Sequence, residues 1–132
     1  MKIETIGLTE FIVRLERHES ILMPVLGREM REWAEETMTE SKRVVPVGET
    51  GNLMNSGHVE GPSRSAGGTD VRLGYGGPAA PYARVVHENL NPGIHWKRPG
   101  SGPKYLENPF MERLPQLEGR LRAALAEAAA TV

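Results

Sequence analysis

The feature that most limits how this chain can fold is an apolar stripe. It runs from Leu22 through Leu26, Met30, Trp33 and Thr37, with Ala34 and Met38 beside it. Steps of three and four residues put these side chains on one side of an α-helix. Arg28, Glu29, Arg31, Glu32, Glu35 and Glu36 cover the other side. Ser20 stands where a hydroxyl oxygen can accept the free amides of a first turn. Pro24 falls in or near that turn, where a missing N–H is tolerated. Lys42 and Arg43 lie near the far end, where cations favour the partial negative charge of a helix C-terminus, and Pro46 forbids continuation. One long helix in the N-terminal half is therefore the best-determined element.

The elements around it are shorter. Lys2 to Ile6 alternates polar and apolar residues, as a half-buried strand does, and Gly7 breaks it. Thr9 is expected to cap a short helix with Phe11, Ile12 and Leu15 on one face. After Pro46 glycines punctuate the chain. Leu53 to Glu60 and Thr69 to Tyr75 read as strands, joined by a polar hairpin loop from Pro62 to Gly68. Pro81 opens a short helix through Tyr82, Val85, Val86 and Asn89. Asn91 to Pro103 is too rich in proline and glycine for regular structure.

Asn108-Pro109 reads as a cap followed by proline at the first helical position. A C-terminal helix then carries Phe110, Leu114, Leu117, Leu121, Ala124 and Ala128 on one side, with Pro115 expected to interrupt or bend it. Its alanine-rich tail favours helix but has little bulk to bury, which suits close packing against a neighbour or simple fraying. Together these elements predict an α+β fold: a small, mainly antiparallel sheet with a long helix in the N-terminal half, a short helix and a C-terminal helix. The expected domain is single, residues 1–132.

Composition narrows the function classes. In 132 residues, 39% apolar and 25% charged content marks a globular chain, and 16 basic against 17 acidic side chains leave a net charge of −1. Bulk charge gives no reason to expect a dedicated nucleic-acid binder or a membrane-surface protein. Without cysteine there are no disulfides, thiolate metal sites or cysteine nucleophiles. Apolar runs such as Ile21-Leu22-Met23 are too short to span a bilayer, and no signal-peptide pattern is evident at the N-terminus. The expected product is cytosolic, or assembled in the cytosol.

No catalytic motif is complete. His87-Glu88 and His18-Glu19 lack the second histidine of a zinc-protease helix, since Asn91 and Leu22 stand in its place. His58, His87 and His95 have no spacing that supports a zinc site. Gly74-Tyr75-Gly76-Gly77 lacks the third glycine of a dinucleotide fingerprint and the Gly-Lys-Ser/Thr ending of a phosphate loop. Ser56, Ser63, Ser65 and Ser101 sit in no nucleophile elbow, and Glu35-Glu36 lies on a solvated helix face. The expectation is a protein that is not an enzyme and carries no cofactor and no metal.

Three blocks carry a resemblance. They are Val45-Pro46-Val47-Gly48-Glu49-Thr50-Gly51-Asn52-Leu53-Met54-Asn55-Ser56, then Pro81-Tyr82-Ala83-Arg84-Val85-Val86-His87-Glu88, then Lys104-Tyr105-Leu106-Glu107-Asn108-Pro109-Phe110. In order and spacing they resemble the minor-tail and tail-completion proteins at the head–tail junction of tailed bacteriophages. With the opening strand and the long helix, the resemblance covers nearly the whole chain. Gly48 is an addition to the family's turn, and Met54 replaces a residue that is often basic there.

The resemblance implies a structural subunit of a ring, commonly sixfold, that completes the tail and joins it to the head connector around the DNA channel. Its implied partners are other copies of itself, head connector or adaptor proteins, and tail terminator or tail tube proteins. Non-specific contact with genomic DNA in the channel is a further implied partner; a membrane is not. The implied location is the virion neck, assembled in the host cytoplasm. A tail terminator or a head connector of the same virion is the neighbouring alternative.

One segment points to interfaces on its own chemistry. Ile94-His95-Trp96-Lys97-Arg98-Pro99 sets a tryptophan among cations inside a Pro/Gly-rich stretch, and tryptophan is enriched where one large ring fills a neighbour's pocket. Trp96, Lys97, Arg98, Lys104 and His95 are the candidate subunit-interface or channel residues. The cations would either pair acidic groups or line the channel. The competing reading for Trp96 is that it folds back onto its own core. The competing function for the segment is a nucleic-acid-binding module, which near-zero net charge and 5% aromatic content disfavour. A small hydrolase is the third possibility, and no complete motif supports it.

Overall fold

The computed structural model describes residues 2–6, 9–16, 23–46, 51–65, 68–76, 83 and 103–130. The element order is β1 (Lys2–Ile6), β2 (Glu10–Glu16), α1 (Met23–Val44), α2 (Asn52–Asn55), β3 (His58–Ser65), β4 (Gly68–Gly74) and α3 (Glu107–Ala130). The four strands form one antiparallel sheet in the order β1-β2-β4-β3. Both long helices cover one face of it, so the fold is α+β in two layers. No helix of the described residues is long and apolar enough to cross a membrane.

The expected helix after Thr9 is strand β2. Phe11, Ile12 and Leu15 do fit a helical face, but Ile12 and Val13 are β-branched and the segment has strands on both sides. Phe11 pairs with Leu73 and Val13 with Val71 across β2 and β4, and all four side chains are buried. Thr9 extends this ladder by accepting the Tyr75 amide at 3.1 Å.

The second strand pair also differs from expectation. Asn52–Asn55 forms a single helical turn, entered through Gly51 at φ 68, so the strand starts only at His58. At its other end β3 continues through Pro62 to Ser65, where a loop was expected. A register shift between Glu60 and Ser63 admits the proline at the sheet edge, where its missing N–H breaks no ladder. Gly61, at φ 105, is required there: a Cβ would stand 2.6 Å from the Asp70 carbonyl oxygen. Arg31 of α1 donates to the Gly61 carbonyl at 2.6 Å and ties the bulge to the helix.

The long helix matches its stripe. Leu26, Met30, Trp33, Ala34, Thr37 and Met38 are buried, and the helix ends at Val44 before Pro46. In α3 the start is Glu107, with the Asn108 amide bonded to the Lys104 carbonyl at 3.0 Å, so Asn108 lies within the first turn and does not cap it. Pro109 still sits in that turn, where no partner is lost. The helix continues through Pro115, which is exposed together with Met111, so solvent can satisfy the carbonyl that the proline leaves free. Of the short helix expected from Pro81 to Asn89, only Ala83 is described, and it is helical and buried. The rest of that helix, and Asn91 to Gly102, lie outside the described residues.

The two helices run antiparallel. Arg120 meets Glu29 and Glu36, while Arg113 meets Thr37 and Glu36. At the centre of the core Phe110 stacks on Phe11 of the sheet with ring centroids 4.4 Å apart, and Trp33 meets Phe110 edge-on at 5.4 Å. Such pairs add about 0.5–1.5 kcal/mol beyond the area they bury. Trp33 satisfies its indole N–H at the Arg113 carbonyl, 3.1 Å away. One ring thus joins the sheet and both helices.

Candidate functional site

The described residues that bear most directly on the basic-aromatic segment are those that bracket it in sequence, Ala83 and Tyr105, with their partners. Ser41 occupies the stripe of α1 one turn beyond Thr37, and it is fully buried. Its hydroxyl donates to the Tyr105 carbonyl at 2.6 Å and lies 2.8 Å from the Tyr75 hydroxyl. A serine has a single proton, so with that proton on the Tyr105 carbonyl the Tyr75 O–H is the donor to Ser41. Tyr105 in turn donates its own O–H to the Ala83 carbonyl at 2.6 Å. The rings of Tyr75 and Tyr105 meet edge-on at 4.9 Å.

This chain of hydrogen bonds links the end of α1, the end of β4, Ala83 and the approach to α3. Each donor in it has an acceptor, which is the condition for polar groups to lie this deep without a large penalty. Its consequence is geometric. Ala83 and Tyr105, which bracket residues 84–104 in sequence, lie only a tyrosine side chain apart.

Lys104 sets the angle of return. It has φ 57, a left-handed conformation that costs an ordinary residue roughly 1 kcal/mol. Its ammonium lies 3.4 Å from Glu107 in the first turn of α3. Of the five candidate interface residues, Lys104 is the one the described structure places: just before Tyr105, next to an acidic group of its own chain. His95, Trp96, Lys97 and Arg98 fall outside the described residues.

The remaining candidates for chemistry do not converge. His58 places Nδ1 2.8 Å from the Ser56 carbonyl and Nε2 3.7 Å from Glu60, which orients the ring locally. His87 and His95, the other members of the weighed zinc set, lie outside the described residues. Among the described residues no group of three or more histidine, aspartate or glutamate side chains is arranged to hold a metal ion. The charged residues instead build a network between the helices. Arg120 reaches Glu29 at 2.7 Å and Glu36 at 2.6 Å. Desolvation lowers the pKa of that guanidinium, but hydrogen bonds and Coulombic attraction from Glu29 and Glu36 outweigh it and leave the group more basic than usual.

Ser41 and Tyr75 escaped the sequence reading. A usable signal was present: a polar residue on an apolar stripe, one turn past Thr37, implies a buried hydrogen bond. Compared with protein-family models, curated proteins and solved structures, the chain matches none.

Proposed function

We propose that this protein is a structural subunit of the head–tail junction of a tailed bacteriophage. Copies of it form a ring, hexameric by the family resemblance, that completes the tail and meets the head connector around the DNA channel. The observation that carries the reading is the contact between Ala83 and Tyr105. Two of the three resembling blocks meet there, and the basic-aromatic segment lies between them in sequence.

The argument is mechanical. A loop that must fit a neighbour loses less entropy on docking when its ends are already fixed. Covalent geometry limits residues 84–104 to roughly 35 Å of reach out and back, enough to contact an adjacent copy. In this reading Trp96 is the apolar anchor, and Lys97 and Arg98 meet acidic groups or the channel contents. The role needs neither cofactor nor catalytic group.

Virions assembled without the protein test the role directly: electron micrographs are expected to show filled heads and separate tails. Trp96→Ala is expected to impair ring or neck assembly while monomer thermal unfolding stays unchanged; normal assembly of that variant removes the loop from the proposal. A lone monomer that turns over a substrate or holds a stoichiometric metal overturns the reading as a whole.

A further inference from the structure

A cleft of about 260 Å³ lies between the start of α1 and the β3–β4 hairpin. Its floor is largely apolar, formed by Met23, Gly27, Pro62 and Thr69, and Arg28 and Arg64 flank it. Both arginines are exposed, and neither has an acidic partner among the described residues. Most other arginines among the described residues differ, Arg72 excepted. Arg14 pairs with Asp70, Arg31 with Glu35, Arg43 with Glu40, and Arg122 with Glu118. Two cations left without a carboxylate on one apolar cleft call for an occupant that is apolar and acidic.

The last turns of α3 have that character. Leu125 is 38% exposed, the flanking side chains are alanines, and Glu127 is exposed with no basic partner among the described residues. Alanine faces let a helix approach a surface closely, since no bulk stands between backbone and floor. The tail cannot fill its own cleft. Arg120 lies opposite Glu29, so with antiparallel helices the turns beyond residue 125 overhang the start of α1. The cleft opens on the side of α1 that faces the hairpin, and no residue of α3 lines it.

We infer that the C-terminal end of α3 docks in the Arg28–Arg64 cleft of a second copy. Leu125 meets the floor formed around Gly27 and Pro62, and Glu127 lies between the two guanidiniums. Donor and acceptor are different surfaces, so the contact is head-to-tail, the kind that generates a ring when its rotation closes. The inference rests on the ring reading for its setting, though not for its chemistry.

The test is sedimentation of the full chain over a wide concentration series, with variants confined to exposed residues and folding checked by circular dichroism. Reversible association is expected, weakened at least about tenfold by Arg28→Glu with Arg64→Glu, and equally by Glu127→Arg. Combining all three changes reverses both partners and is expected to restore it. A chain that stays monomeric throughout overturns the docking, as does association indifferent to either set of changes, or no recovery in the triple variant. Necks that still form in virions carrying Arg28→Glu with Arg64→Glu would overturn this contact and leave the junction role standing.

Discussion

The two ends of the contact between α1 and α3 are held by opposite kinds of chemistry. At one end Phe110 sits between Phe11 and Trp33, with Tyr105 and Ser41 beside it, all buried and neutral. At the other end Arg120 spans Glu29 and Glu36, with the charged groups in reach of water. Dry aromatic packing gains from every atom removed from solvent, whereas a half-exposed ion pair gains little over its hydrated parts. The first end therefore sets the fold. The second aligns the helices.

The largest effect should come from the dry end. Phe110→Ala removes a ring that touches the sheet and α1, and is expected to cost about 3–5 kcal/mol in chemical denaturation. Tyr105→Phe keeps the ring but strands the Ala83 carbonyl, with an expected cost of about 1–3 kcal/mol. That variant should also admit protease between residues 84 and 104 before global unfolding; cleavage no faster than in the parent would show that the hydrogen bond does not hold the loop base.

The wet end should respond more weakly. Arg120→Met is expected to cost about 0–1 kcal/mol, and to flatten the dependence of stability on salt. Because the Arg120 pKa is raised, any stability it contributes is fully present below its unfolded value and lost only in strong alkali, so salt and not neutral pH is the useful variable. A loss comparable to that of Phe110→Ala would break the comparison between the ends. The smallest effect is expected at Lys104. Lys104→Gly relieves the positive φ at the expense of a partly exposed ion pair, for a gain of up to about 1 kcal/mol in thermal unfolding.

The long helix was legible because its signal is local and repeated: the stripe from Leu26 to Met38 is the buried face. Segment 10–16 was misassigned because Phe11, Ile12 and Leu15 satisfy a helical spacing over one turn, and only pairing with distant Val71 and Leu73 decides the matter. Residues 62–65 read as part of a polar hairpin loop, yet a bulge held by Arg31 keeps them in the sheet. The buried hydroxyl chain was hidden for a related reason. Ser41, Tyr75 and Tyr105 are far apart in sequence, and nothing local announces that they meet.

The hydrogen bond from Tyr105 to the Ala83 carbonyl also pins together two points that are 22 residues apart in the chain. A segment that exits and re-enters at one point can change length with little effect on what it is mounted on, since doubling a flexible connection costs only about 0.6 kcal/mol in closure entropy. Changes of length between these two fixed points are therefore expected to leave the two-layer scaffold standing.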